Sequence, residues 1–191
     1  MPFVVVLFCN ISNVICFAGW GNLVFFDTEE HQISNKVMAQ IPKLGSQWRI
    51  IHDFKPTEYL QAANPATKSL FLESGDSKTP GSIRVDIYFP LPKIAVVHVI
   101  RGDNDQPQGK YIVKSTQLPK VGEWTRVEIG HEKVDEKYFL SLSVGGREVG
   151  RVEVTNPELR KLTDVRVSIG HPDEKHCQAG FIRRLVVLEK R

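Results

Sequence analysis

The sequence predicts an all-β fold, a sandwich or barrel of short antiparallel strands. Apolar and polar residues alternate in Ile83-Arg84-Val85-Asp86-Ile87-Tyr88-Phe89 and again in Asp164-Val165-Arg166-Val167-Ser168-Ile169. That period of two belongs to a strand with one buried face. The breaks between such segments carry turn chemistry and recur at short, even spacing from about residue 22 to residue 189, as in a sandwich or barrel. No segment holds a helical period beyond a turn or two. At 191 residues, 41% apolar and 25% charged, the chain has the composition of one ordinary globular domain. It is long enough to bury a full core without disulfides.

Residues 1–18 stand apart. Phe3-Val4-Val5-Val6-Leu7-Phe8-Cys9 and Val14-Ile15-Cys16-Phe17 are apolar and end in Ala18-Gly19. The small residues Cys16 and Ala18 suit signal peptidase, so a secretory signal peptide is expected over 1–18 and a single domain over 19–191. No Lys or Arg lies at the start, and Asn10, Ser12 and Asn13 interrupt the run. A first buried strand is therefore the alternative. A membrane span is not expected, because the run is too short and too polar in its middle.

Downstream, Trp48-Arg49-Ile50-Ile51-His52-Asp53-Phe54 puts Trp48, Ile50, His52 and Phe54 on one side. A histidine on such a face is expected to be a satisfied core residue. In the next alternating segment Ile83, Val85, Ile87 and Phe89 face inward, and Arg84, Asp86 and Tyr88 outward. Ile94-Ala95-Val96-Val97-His98-Val99-Ile100 is apolar almost throughout, as expected of a central strand covered on both faces. Gly145-Gly146, between Leu140-Ser141-Leu142-Ser143-Val144 and Arg147-Glu148-Val149-Gly150-Arg151-Val152, signals a tight hairpin. Asn156-Pro157-Glu158-Leu159 reads as a single helical turn with Asn156 as its cap.

Charge and cysteine use limit the function classes. A net charge of +3 is too mild for a dedicated nucleic-acid binder, which needs a dense basic stripe with interleaved aromatics. It permits attraction to acidic polysaccharide. Cys9 and Cys16 fall in the expected signal, as does the glycosylation sequon Asn10-Ile11-Ser12. Cys177 is then the lone mature cysteine. It is either buried and inert or pairs between chains, giving a monomer or a Cys177-linked dimer.

The segments Trp48-Arg49-Ile50-Ile51-His52-Asp53-Phe54-Lys55-Pro56, Gly122-Glu123-Trp124-Thr125-Arg126-Val127-Glu128-Ile129 and Tyr138-Phe139-Leu140-Ser141-Leu142-Ser143-Val144-Gly145-Gly146 resemble, in order and spacing, the laminin-G and pentraxin-like branch of the concanavalin A-like jelly rolls. Gly180-Phe181-Ile182-Arg183-Arg184-Leu185-Val186-Val187 is similar to the last strand of such domains. The resemblance spans roughly residues 20–190 and extends to small secreted animal proteins that carry one such domain alone. It implies two stacked antiparallel sheets and a last strand that returns beside the first. It also implies ligand binding at a loop-bearing edge or a concave sheet face, often with Ca²⁺ near the loops.

Four groups carry candidate chemistry. Arg101-Gly102-Asp103 is the tripeptide that integrins recognise in many matrix proteins, and it would sit on a hairpin loop before Lys110-Tyr111-Ile112-Val113. The bland reading is a turn. Asp103, Asn104 and Asp105 cluster oxygen ligands for Ca²⁺, which wants six to eight and would need help from Asp76, carbonyls or water. His171, Asp173, Glu174, His176 and Cys177 crowd metal-capable groups into one loop, though their spacing is no standard zinc site. Lys110, Lys114, Lys120, Arg126, Arg183 and Arg184 would supply a heparin-like patch. Adjacent Arg183 and Arg184 are expected on opposite faces.

A retaining glycosidase needs two carboxylates about 5 Å apart, and no Glu-x-Asp-x-x-Glu run occurs. Glu128 and Glu132 flank Gly130-His131, and no Gly-x-Ser-x-Gly motif is present. The sequence therefore points to a secreted, extracellular, lectin-like protein without catalysis or a membrane span, whose partners are glycans or glycosylated extracellular matrix. The alternatives are adhesion or a structural matrix role through Arg101-Gly102-Asp103, and a jelly-roll glycoside hydrolase or polysaccharide lyase.

Overall fold

In the computed structural model, residues 19–25, 29–34, 36–59, 67–75, 82–90, 92–101, 107–160, 162–170 and 177–190 are described. In chain order the strands are β1 (Trp20–Phe25), β2 (His31–Gln32), β3 (Lys36–Leu44), β4 (Trp48–Pro56), β5 (Thr67–Ser74), β6 (Ile83–Phe89), β7 (Ile94–Arg101), β8 (Pro107–Ser115), β9 (Thr125–Val134), β10 (Lys137–Val144), β11 (Arg147–Glu153), β12 (Leu162–Ile169) and β13 (Gly180–Lys190). The first sheet runs β1-β13-β4-β9-β10-β11, with β2 also on β13; the second runs β3-β12-β5-β6-β7-β8. Every pairing between these strands is antiparallel. The protein is a jelly-roll sandwich, as the sequence predicts. Residues 1–18, where a signal peptide was expected, lie outside the described residues. No helix among the described residues is long and apolar enough to cross a membrane.

The alternating segments place their side chains as the period requires. Trp48, Ile50, His52 and Phe54 all face the core with no exposure, and Ile83, Val85, Ile87 and Phe89 meet them from the other sheet. The last strand returns to the first: Trp20 lies opposite Lys190. On its other side β13 pairs with β4, from Gly180 opposite Pro56 to Glu189 opposite Trp48. A Cβ on Gly180 would stand 2.5 Å from the Lys55 carbonyl oxygen, so glycine is what lets this strand dock. Gly145 and Gly146, both at positive φ, form the β10–β11 turn. Asn156 Oδ1 accepts the Glu158 N–H at 3.0 Å and caps the one 3₁₀ turn among the described residues, Pro157–Arg160.

One part of the core departs from the expected satisfied histidine. His52 and His98 are fully buried, and none of their ring nitrogens has a hydrogen-bond partner among the described residues. His98 reaches across from the second sheet to Trp48 and His131 of the first, with ring centroids 6.1 and 5.5 Å away. Trp48 stacks on His131 at 5.5 Å, and His131 Nδ1 lies 2.8 Å from the Ser46 carbonyl oxygen. Burial pushes both His52 and His98 down to about 3, and the nearby His131 adds to the effect at His98.

The folded chain thus holds two neutral imidazoles that the unfolded chain protonates below about pH 6.5. Their contribution to stability is complete above that pH and is lost as pH falls toward 3. Between pH 6.5 and 5, where most carboxylates stay ionised, each histidine should cost roughly 2 kcal/mol. Urea denaturation across this range should show the loss, and His98→Phe should remove about half of it. A pH slope that is unchanged in His98→Phe and His52→Leu would rule the pair out as its source.

Candidate functional site

The outward face of the second sheet carries buried charged and polar residues. Antiparallel register lines up Ser168, Phe71, Asp86 and Val97 across β12, β5, β6 and β7, and Arg166, Glu73, Arg84 and Val99 in the neighbouring row. These side chains alternate away from the core, yet Ser168, Phe71, Asp86, Val97 and Glu73 are all buried. A charged floor of this kind must be paired to be tolerated. Asp86 Oδ2 accepts from Lys68 Nζ at 3.2 Å and lies 2.9 Å from Arg84 Nε. Glu73 pairs with Arg166 at 2.6 Å.

Electrostatics in the cluster are finely divided. Burial lowers the Lys68 ammonium from its ordinary value, Asp86 works against that, and Arg84 reinforces it. Burial raises the Tyr88 hydroxyl, and the Asp86 charge adds to it. Asp86 Oδ1 is buried and has no hydrogen-bond partner among the described residues. Leaving such an acceptor empty is costly. Arg84, Asp86 and Tyr88 occupy alternate positions of β6 and therefore one face, each about 6.8 Å from the next. The row offers a half-exposed guanidinium, a buried carboxylate that holds it, and an aromatic ring with a hydroxyl. Beyond Arg166 an open groove of ≈ 530 Å³ is lined by Gln40, Ile41, Pro42, Gly75, Asp164 and Arg166. Charged donors and acceptors on a partly apolar floor suit a polyhydroxylated ligand.

Of the site residues expected from sequence, Arg101 and Cys177 are among the described residues. Arg101 closes β7 and its N–H donates to the Ser82 carbonyl at 2.9 Å. β8 is the next strand in sequence and pairs antiparallel with β7. Gly102, Asp103, Asn104 and Asp105 lie outside the described residues, as do Asp76 and 171–176. Among the described residues no group of three metal-capable side chains occurs. Cys177 is half buried and packs against the core, with its backbone bridged to Lys68.

The expected basic patch is split. Lys110 and Lys114 lie on β8 of the second sheet, Lys120 in the turn before β9, and Arg126, Arg183 and Arg184 on the first sheet. Arg183 and Arg184 do not point to opposite faces. Three residue steps of β13, from Arg183 to Val186, face two steps of β4, from Asp53 to Ile51. This is a β-bulge, with Arg184 at φ 52°. It lets both guanidiniums reach Asp53, at 3.5 and 3.4 Å.

The carboxylate pair missing from the sequence pattern also has a structural counterpart. Glu128 and Glu132 share the outward face of β9, and both bind Arg49, at 3.1 and 2.7 Å. The residues that sequence reasoning missed are Lys68, Glu73 and the buried, unpartnered Oδ1 of Asp86 among the described residues. The outward placement of Asp86 was readable. Its partners come from strand pairing, which no local pattern discloses.

No family profile matches the chain, and no curated protein sequence matches it. Solved structures do resemble it. The IT-sialidase CBM40 of Ruminococcus gnavus, solved bound to α2,3 sialyllactose, aligns with TM-score 0.64 at 15% identity, over 90% of this chain and 93% of that one. An endo-1,3-β-glucanase from Streptomyces sioyaensis aligns with TM-score 0.58 at 10% identity, over 93% and 99%. The SAP-like pentraxin of Limulus polyphemus gives TM-score 0.53 at 14% identity, over 85% and 73%. At these identities the likeness is one of fold: all are jelly-roll sandwiches of the concanavalin A-like type.

Two outcomes follow from the site geometry. Asp86→Ala leaves Lys68 buried without its counter-charge, so it should destabilise the protein by about 3 kcal/mol. Lys68→Met should cost less, because Arg84 still faces Asp86, and adding it to Asp86→Ala should recover part of the loss; urea denaturation reads all three. The Cys177 thiol should react slowly with a maleimide under native conditions and fully in denaturant. Equal rates in the two states would contradict its packing.

Proposed function

We propose that the protein is a secreted, non-catalytic module that binds glycans or glycosylated matrix on the outward face of its second sheet. The observation that carries this is Asp86. Its Oδ2 is held by Lys68 and Arg84 while its buried Oδ1 has no partner among the described residues. The Arg84 side chain, held beside this buried carboxylate and 43% exposed, would donate to a sugar oxygen. Tyr88 would supply apolar contact with a polar tip. The sialyllactose held by one structural neighbour and the glucanase activity named for another are both carbohydrate chemistry. Secretion is supported by the apolar run over 1–18, and the resemblance to small secreted single-domain proteins agrees with it.

The non-catalytic reading is supported by the pairing of Glu73, Asp86, Glu128 and Glu132 with Arg or Lys. The glucanase fold motivates hydrolysis as a second reading, and release of reducing sugar from a β-glucan would select it. Adhesion through Arg101-Gly102-Asp103 is a third, favoured by Arg101 at the end of β7. Integrin-dependent cell attachment that is lost in Asp103→Glu would select that one.

A glycan array read with and without EDTA is the first experiment. Binding abolished by EDTA would bring in calcium through Asp103, Asn104 and Asp105; binding unaffected by it would assign the contact to the β5–β6–β7 face alone. Arg84→Ala and Tyr88→Ala should each weaken the array signal about tenfold or more, the worth of one charged hydrogen bond, with little change in thermal midpoint. An unchanged binding profile in both variants would overturn the assignment of this face.

A further inference from the structure

The opposite side of the sandwich carries a second feature that the glycan-binding face does not use. Three guanidiniums converge on one carboxylate. Asp53 Oδ1 is 3.7 Å from Arg126 Nε, and Asp53 Oδ2 is 3.5 Å from Arg183 Nε and 3.4 Å from Arg184 Nη1. Only the Arg184 contact is a hydrogen bond. Arg183 Nε is buried with no hydrogen-bond partner among the described residues. Three guanidiniums bring about fifteen N–H donors to a carboxylate that accepts about four. Asp53 is 7% exposed, whereas Arg126 and Arg184 have nearly half of their side chains in solvent.

Aromatic rings border this cationic cluster. The Arg183 guanidinium lies 4.1 Å from the centre of the Trp124 ring, and Lys55 Nζ lies 4.6 Å from Trp124 and 5.1 Å from Phe181. Lys55 is paired in turn with exposed Glu30 at 3.1 Å. The geometry depends on the bulge, which holds a non-glycine residue, Arg184, in the left-handed region at φ 52°. L-residues pay for that conformation, and strain retained at a surface is a reason to look for function there. A regular strand would send Arg184 to the core side and leave one arginine on this face.

We infer that Arg126, Arg183 and Arg184, seated around Asp53 beside Trp124, form an anion-binding surface for a sulfated polysaccharide. Guanidinium forks match the oxygens of a sulfate ester, and the indole offers a flat apolar face to a pyranose ring. The net charge is mild and the cluster is compact, which fits a sulfate pair on a sugar chain better than a long nucleic-acid backbone. This surface lies on the first sheet, apart from Asp86, so the protein would hold two ligands on opposite sides.

The test uses the full chain and a heparin-derived oligosaccharide, with its desulfated form and a single-stranded DNA of similar length as comparisons. Calorimetry at low salt should show binding to the sulfated sugar that weakens steeply as NaCl is raised. Arg126→Ala with Arg184→Gly should reduce affinity at least tenfold. Arg183 still faces Asp53 and the glycine suits the positive φ, so the variant should remain folded, as its thermal unfolding transition will show. Arg84→Ala on the other face should leave this binding unchanged, and the double variant should keep its glycan-array profile. Three results would each overturn the assignment: no binding of the sulfated sugar by the wild type, unchanged affinity in the folded double variant, or equal binding of the desulfated sugar or the DNA.

Discussion

The pairing of β13 with β4 is the constraint on which the rest of the structure depends. It joins the fourth strand to the last, Gly180 to Pro56 and Glu189 to Trp48, and it puts the last strand inside the first sheet. Closing so long a loop costs entropy before any contact repays it. Repayment comes from apolar burial: Ile182, Leu185 and Val187 of β13 join Trp48, Ile50 and Phe54 of β4 in the core. The same pairing contains the bulge. Without the extra residue after Arg183, every side chain beyond it would change face. Leu185 and Val187 reach the core because Arg184 absorbs the mismatch.

Much of the fold was legible because its signals are local. The alternation in Ile83–Phe89 and Val165–Ile169, the Gly145-Gly146 turn and the Asn156 cap each need only a few adjacent residues. Two strands were harder to see. β3 contains Pro42, which reads as a break, but β3 is the edge of its sheet and an edge strand tolerates a missing donor. In β5, Lys68 and Ser69 interrupt the apolar pattern, and the register shifts between Lys68 and Leu70.

The sites were less legible for the same physical reason. Lys68 meets Asp86 only because β5 pairs with β6, and Glu73 meets Arg166 only because β5 also pairs with β12. Asp53 looked like an outward residue on an apolar strand, and nothing local marks it as the meeting point of three arginines from β9 and β13. The rule that neighbours on a strand face opposite ways is sound for regular strands. It failed at Arg183 and Arg184 because a bulge is set by the partner strand. His52 and His98 were visible as residues on an apolar face, but their lack of hydrogen-bond partners among the described residues depends on what the other sheet presents to them.

The adjacency of β1 and β13 has a consequence for how such a domain can be carried. Trp20 and Lys190 lie opposite each other on neighbouring strands, about 5 Å apart. The chain enters and leaves the sandwich at one place, so the fold is close to a closed ring. A unit with that property can be spliced into a loop of a host protein without stretching it. Cut at the Gly145-Gly146 turn and rejoined by a short linker between its old ends, it would keep every strand pairing except that local hairpin's covalent tie.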